Sequence, residues 1–359
     1  MPSLFEPLQL GELTLPNRIV MAPLTRSRAG RERVPNALMR QYYRQRASAG
    51  LIISEATVVS PQGVGYTDTP GIWSDEQTEG WRHVVRAVHQ AGGRMFLQLW
   101  HVGRISHPLF LAGALPVAPS AIAPQGNVSL VTPKQPYVVP RALAREEIPE
   151  IIAAFTRGAE NARRAGFDGV EIHGANGYLL DQFLQDSANR RTDDYGGSVE
   201  NRARLLLEVT DAAIAVWGPG RVGVHIAPRG DTHSMGDSDR AATFGYVARE
   251  LGRRRIAFLF AREHLQGERL GPQLKRTFSG AYIANERLDQ AAAEQLLQRG
   301  EADAVAFGTL FIANPDLPER LRSGAPLHAP RPEYFYRGGP AGYTDYPALA
   351  AAAHAARGA

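Results

Sequence analysis

The residues Phe167-Asp168-Gly169-Val170-Glu171-Ile172-His173-Gly174-Ala175-Asn176-Gly177-Tyr178 join a short apolar run to three groups able to do chemistry. Gly169 to Ile172 reads as a buried parallel strand that ends on His173. Asn176 and Tyr178 follow at once, with Gly174 and Gly177 permitting tight turns between them. An imidazole, a carboxamide and a phenol are thereby delivered together at the carboxyl end of a strand. In barrels of alternating strands and helices that rim carries the chemistry. Taken alone, the same residues also suit a buried histidine bonded to a neighbouring carbonyl, with a tyrosine packed on the next helix.

Other strand ends must converge on this one for a site to form. The pattern predicts strands at Arg18–Ala22, Leu51–Ala56, Arg94–Leu99, Gly169–Ile172, Val222–Ile226, Ile256–Phe260, Ala281–Ile283 and Ala304–Phe307. Amphipathic stretches lie between them at Ala37–Ala49, Asp75–Ala91, Glu146–Ala165, Val199–Trp217, Arg240–Arg253, Gly271–Arg276 and Leu288–Arg299. Ser74-Asp75-Glu76-Gln77 is a capping-box pattern, and Gly92-Gly93, Gly166 and Gly300 mark helix ends. Strands alternating with helical crossovers favour a closed eight-fold (β/α) TIM barrel. An open dinucleotide-binding sheet would show a glycine fingerprint after its first strand, where this chain has Pro23-Leu24-Thr25-Arg26. Leu8 to Leu15 alternates around Gly11 and predicts an N-terminal hairpin plug. Val102 to Pro140 is Pro/Gly-rich without a helix, as expected of a long lid after the third strand. A single domain over residues 1–359 is expected, with about 350–359 a flexible, Ala-rich tail.

Composition narrows the function classes. With no cysteine, disulfides, thiolate metal sites and cysteine-ligated clusters are excluded. Net charge is +4, but acidic and basic residues are interspersed, as in Arg145-Glu146-Glu147, so no nucleic-acid stripe is expected. Residues 1–7 lack a signal-peptide pattern, and no apolar run approaches the ~20 residues of a membrane span. A cytoplasmic chain is expected, monomeric or homo-oligomeric, acting on a small molecule.

The predicted rim gathers Ala22, Pro23, Leu24 and Thr25 from the first strand, with Glu55, Ala56 and Thr57 from the second. Gln98 to His101, His173, His225 and Phe307-Gly308-Thr309 complete it. There is no serine elbow and no pair of carboxylates for hydrolysis, and the histidines lack a carboxylate partner for a metal. An uncharged pocket of amide, imidazole and small residues suits a planar polar heterocycle.

These segments closely resemble the Old Yellow Enzyme family of flavin-dependent ene-reductases, in its bacterial N-ethylmaleimide, nitrate-ester and xenobiotic reductase branch. The resemblance rests on Met21-Ala22-Pro23-Leu24-Thr25-Arg26, Ser54-Glu55-Ala56-Thr57 and Gln98-Leu99-Trp100-His101-Val102-Gly103-Arg104. It continues through His173 to Leu180, Arg191 to Arg202, Phe311 to Leu317, and Gly342-Tyr343-Thr344-Asp345-Tyr346-Pro347. It implies a barrel that holds FMN without a covalent bond and takes hydride from NADPH or NADH. By position, Thr25 is implied to bond the flavin C4 carbonyl, and Ala56 and Gln98 to contact the pyrimidine half. Ala22, Pro23 and Leu24 would line the ring, while Asn285, Gly308 and Thr309 would serve the phosphate. His173 and Asn176 would hold the oxygen of an activating group, and Tyr178 would donate the proton. Tyr66, Trp100 and Tyr343 would shape the pocket above the ring.

Two positions depart from the resemblance. His225 stands where many members carry an arginine against the flavin N1–C2 edge, so it is either a neutral donor there or a group whose protonation couples to reduction. Thr309 stands where many carry a phosphate-binding arginine, which leaves backbone amides and its hydroxyl, with Arg229 or Arg262 as compensating charges. The implied activity is reduction of alkenes conjugated to a carbonyl, imide or nitro group. Reductive attack on nitrate esters or nitroaromatic rings is an alternative on the same site. A non-catalytic ligand-binding barrel and a metal-dependent hydrolase are the readings from other classes.

Overall fold

The computed structural model describes residues 2–349, so the expected tail at 350–359 lies outside the described residues. Eight short strands form its centre: β1 (Ile19–Met21), β2 (Leu51–Ile53), β3 (Met95–Trp100), β4 (Gly169–Gly174), β5 (Val222–Ile226), β6 (Phe258–Arg262), β7 (Tyr282–Asn285) and β8 (Ala304–Phe307). Each pairs in parallel with the next. β8 returns to β1, with Val305 opposite Ile19 and Phe307 opposite Met21, and so closes the TIM barrel. The crossovers carry α1 (Ala37–Arg44), α2 (Asp75–Gln90), α3 (Ile148–Ala165), α4 (Leu179–Leu184), α5 (Val199–Trp217), α6 (Arg240–Arg254), α7 (Gly271–Phe278) and α8 (Gln290–Gln298). Two further helices, α9 (Thr309–Ala313) and α10 (Leu317–Ser323), follow β8.

The capping box forms as expected at α2: the Ser74 hydroxyl accepts from the Gln77 amide at 3.2 Å, and the Gln77 side chain accepts from the Ser74 amide at 3.3 Å. α3 ends on Gly166 at φ 91°, a left-handed cap that glycine adopts without strain. α1 stops at Arg44, short of the expected Ala49. There the chain turns so that the buried Arg46 guanidinium can donate to the carbonyls of Tyr42, Phe311 and Ile312, each at 2.9 Å.

Alternation along the strands divides the apolar residues into two sets. Val170, Ile172, Val222 and Val224 face outward into the helix layer. Val20, Leu51, Ile53, Phe96, Phe258, Phe260, Ile283, Ala304 and Ala306 fill the interior, joined by Leu10 and Leu15 of the hairpin. That hairpin, Leu8–Leu10 against Leu13–Leu15, plugs the amino-terminal end. The lid expected after β3 holds a short 3-10 turn at Pro108–Phe110 and one small pairing, Val117–Ala118 with Arg141–Ala142.

Two strand ends differ from expectation in a way that matters for function. β6 runs two residues further, to Arg262, and β7 ends at Asn285 and not at Ile283. The two tips are register partners, Arg262 opposite Asn285. Because Arg262 shares the parity of Phe258 and Phe260, it is delivered to the interior face of the rim.

Gly223 shows how tightly that interior is filled: a Cβ there would lie 2.2 Å from the Phe258 ring. Gly223→Ala is therefore expected to cost ~1–3 kcal/mol by overpacking. A denaturation midpoint equal to that of the parent protein would contradict this packing.

Candidate active site

The carboxyl ends of the strands open into a cavity of about 710 Å³. Ala22, Pro23, Leu24 and Thr25 line it from the β1 end, with Asn176 and His225 opposite and Asn285, Gly308 and Thr309 on the far side. A separate concavity of about 750 Å³ lies on the outer wall between α1 and α2, and none of these rim residues reaches it.

At the β3–β5 end, polar groups are stacked in depth. Gln98 Nε2 donates to Glu171 Oε2 at 2.6 Å and lies 3.2 Å from His225 Nδ1. Burial pushes the Glu171 carboxyl up to about 8, so it is largely protonated at neutral pH. Above it the rings of His173 and His225 stack with centroids 5.3 Å apart. Burial, reinforced by Arg262, pushes His173 down to about 3. Burial and the neighbouring His173 and Arg262 hold His225 well below the usual imidazole range. Burial thus favours the neutral form of both imidazoles, and His225 Nε2 has no partner among the described residues.

The aromatic wall is continuous with this stack. The hydroxyls of Tyr66 and Tyr178 are 2.9 Å apart, and the Tyr178 ring meets His173 and Trp100 edge-on, each with centroids 5.0 Å apart. Burial raises the Tyr178 phenol above its ordinary range, which keeps its proton in place. Ala56 packs in the same cluster. The loop that bears Tyr178 is fixed by Asp181, whose carboxylate accepts from the Gly177 amide at 2.8 Å. His233 supports it from the loop after β5, with Nδ1 donating to the Asn176 backbone carbonyl at 2.8 Å.

One expected wall residue is placed elsewhere. Tyr343 is fully buried, stacked on Tyr42 with centroids 4.0 Å apart and capped by the guanidiniums of Arg26 and Arg28. It does not reach the cavity, which is walled instead by the half-exposed Tyr336. Arg26 and Arg28 both donate to the Phe335 carbonyl, at 2.9 and 2.8 Å, and so anchor the strap that carries Tyr336 beside Thr25. The Gly-Tyr motif is a packing element, and the aromatic pair before Gly338-Gly339 was the signal for the wall.

Arg262, Glu286, Arg287 and Asp289 also line the cavity. Arg262 Nη1 donates to Asn176 Oδ1 at 3.0 Å, while its other nitrogens pair with both Glu286 oxygens. Spending Oδ1 on Arg262 leaves the Asn176 side-chain NH2 as the free donor. Of the two compensating arginines expected, Arg229 is turned away onto the carbonyls of His264 and Gln266. Glu286 sits at φ 124°, where a side chain costs ~1–3 kcal/mol of strain, and Arg287 follows at φ 51°. Among the described residues, no group of His, Cys, Asp or Glu side chains is gathered to hold a metal, and no helix is long and apolar enough to cross a membrane.

Comparison with known proteins accords with this geometry. Residues 3–328 match the model of the NADH:flavin oxidoreductase / NADH oxidase family. The chain belongs to that family. It is 43% identical to 12-oxophytodienoate reductase 1 of Oryza sativa subsp. japonica, over 96% of this chain and 93% of the relative. It is 43% identical to a probable flavin mononucleotide-dependent alkene reductase of Leishmania infantum, covering 96% and 97%. Among solved structures, morphinone reductase in complex with tetrahydroNAD superposes with a TM-score of 0.94 at 51% identity, covering 97% of this chain and 98% of that one. The old yellow enzyme homologue of Zymomonas mobilis superposes at 0.95 with 46% identity, covering 97% and 100%. The chain is an FMN-dependent oxidoreductase that draws on a nicotinamide hydride donor.

The cavity fits a flavin ring better than it fits the phosphate. Trp100 Nε1, His173 Nδ1 and His225 Nε2 are buried with no hydrogen-bond partner among the described residues, so the ring end awaits a polar ligand. At the far end, one N–H of the Asn285 amide is given to the Ala306 carbonyl at 2.8 Å, and a carboxylate, Glu286, lines the wall.

Arg262 is the residue whose removal should report on this arrangement. Arg262→Met frees the Asn176 amide to rotate, and substrate KM is expected to rise by about tenfold or more, the worth of a hydrogen bond to a charged group. Arg262→Lys should recover part of that loss. An unchanged KM in Arg262→Met would show that Asn176 is oriented by other means.

Proposed function

We propose that this enzyme reduces carbon–carbon double bonds conjugated to a carbonyl, imide or nitro group. The observation that carries the reading is the placement of Tyr178, a protonated phenol, against His173, a neutral imidazole whose Nδ1 is unpartnered. Thr25, Ala56, Gln98 and His225 would hold the flavin ring, and Tyr66, Trp100 and Tyr336 would wall the substrate space above it. When bound, reduced FMN supplies a hydride to the β-carbon of the alkene. The residues of the chain manage the charge that results.

Negative charge builds on the activating oxygen as the hydride arrives. His173 and the NH2 of Asn176 are the donors for that oxygen, each worth roughly 3 kcal/mol in the barrier if placed like oxyanion-hole groups. Tyr178 then gives its proton to the α-carbon, contributing about 10²–10⁴-fold. The Tyr66 hydroxyl, at 2.9 Å, is placed to return a proton to the phenolate. Two hydrogens are added, one as hydride and one as proton, and the product leaves saturated at that bond. Nothing in the site favours nitrate esters or nitroaromatic rings over this class.

The roles separate experimentally. Tyr178→Phe is expected to leave reduction of the flavin by nicotinamide nearly intact while slowing enone reduction by ~10²-fold or more in stopped-flow traces. His173→Ala should weaken both half-reactions. Unchanged enone turnover in Tyr178→Phe would assign the proton to solvent or to another residue.

A pH profile tests the neutral-donor assignment. His173 gains charge only below about 3, and Tyr178 loses its proton only above its ordinary value near 10. Neither group therefore gives enone kcat/KM a break between about pH 5 and 9, and the breaks expected in that range belong to two buried carboxyls, Asp181, raised to about 7, and Glu171, raised to about 8. A break near ~6.5, the unperturbed histidine value, that persists in Asp181→Asn would mean that a rim imidazole titrates and that charge, not neutral hydrogen bonding, holds the substrate.

A further inference from the structure

In barrels of this kind the loops after the seventh and eighth strands form the common seat for a ligand phosphate. Here those loops are Asn285 to Asp289 and Phe307 to Leu310, and both line the cavity. A phosphate dianion needs unspent donors or net positive charge at its seat. Arg262 and Arg287 stand there against Glu286 and Asp289, so the charges on the wall balance. Arg262 is also engaged through each of its three nitrogens, with Glu286 on one side and Asn176 Oδ1 at 3.0 Å on the other. The Arg287 side chain is 89% exposed and lies 3.8 Å from the same Glu286 carboxylate. Asn285 has given one N–H to Ala306, and Asp289 accepts from the Ala292 amide at 2.8 Å as the cap of α8, so that only neutral donors remain unspent at the seat, namely the second Asn285 N–H, the Thr309 hydroxyl and the first amides of α9.

We propose that the Glu286 carboxylate fills the phosphate seat, held there by Arg262, so that this site selects a flavin by its ring and ribityl chain and draws little affinity from the terminal phosphate. The inference rests on the flavin reading of the cavity and specifies which part of the cofactor the chain recognises. The ring end carries the unpartnered donors, and the seat carries a built-in anion in place of a bound one. A phosphate entering it must displace Glu286 from Arg262 or stay outside in solvent beside Arg287. Either way the phosphate gains little, since it must break an ion pair already made or meet the Glu286 carboxylate at close range, which offsets what the neutral donors on Thr309, Asn285 and the start of α9 return.

The test compares FMN with riboflavin, which differs only in lacking the phosphate. Full-length protein freed of flavin is titrated with each, following quenching of flavin fluorescence. The two dissociation constants are expected to agree within about threefold, where a seat supplying charge-assisted hydrogen bonds would separate them by tenfold or more. Glu286→Gly removes the carboxylate and relieves the φ 124° torsion, and it releases Arg262 to the phosphate. It should tighten FMN at least about tenfold while moving riboflavin less than threefold. Glu286→Gln keeps the side-chain volume and removes the charge. It should shift the ratio the same way by a few fold, and it carries the test if the glycine variant folds poorly. A parent protein that prefers FMN by more than about tenfold would overturn the proposal, as would an unchanged ratio in both variants. Failure of the parent and both variants to bind either flavin would instead overturn the flavin reading, and this inference with it.

Discussion

The parity of eight short strands decides which side chains meet at the rim. In a closed parallel barrel each interior position is set by the register to both neighbours, so a strand cannot slip without exporting its inward residues. His173 and His225 are register partners, as are Gln98 and Glu171, and Arg262 and Asn285. Beneath them the same parity places Phe96, Phe258 and Phe260, which exclude water from the barrel centre. The polar layer thus rests on an aromatic floor. Low polarity below is what keeps Glu171 protonated and both histidines neutral.

Neutrality has a chemical consequence. A site that must hold an anion formed during reaction can use fixed charge or oriented dipoles. Fixed charge would stabilise the anion and also hold anionic ligands before reaction. Dipoles oriented in a buried site act on charge only as it develops, and they need no reorganisation at that moment. In the proposed reaction the imidazole of His173 and the amide of Asn176 would be such dipoles. Arg262, which reaches Asn176, has its charge countered by Glu286 and bonds the Asn176 side-chain oxygen.

The sequence made the barrel legible because its apolar runs are short, β-branched and separated by well-capped helices. The eight strands, the hairpin and the lid were all readable, and so was the meeting of His173, Asn176 and Tyr178. What escaped was the last turn of a strand, where polarity masks strand character. Ala261-Arg262 and Ala284-Asn285 do not extend an apolar pattern, yet pairing with their neighbours continues through them. Arg262 and Glu286 were therefore not assigned together as site residues, although the parity of Phe258 and Phe260 points to Arg262. Tyr343 misled for a different reason. Its motif is strongly marked, but its ring is required by the Arg26–Tyr42 stack, and the loosely packed Tyr336 nearby meets the cavity.

The same separation explains how the rim can be rebuilt without loss of the fold. Stability resides in the aromatic floor, the helix layer and the hairpin plug, none of which includes Arg262, Glu286 or Thr309. Charge at the rim is decoupled from that core, because each rim residue projects into a cavity from the end of a strand already fixed by its ladder. With histidine on β5 and threonine at the start of α9, the barrel superposes on morphinone reductase at a TM-score of 0.94. What such exchanges do alter is the balance between the two ends of the cavity. With neutral donors unpartnered at the ring end and the far end closed by its own ion pair, recognition shifts toward the ring. A glutamate tolerated at φ 124° is consistent with that shift, since a strained residue persists only where its surroundings hold it, and Arg262 is what holds this one.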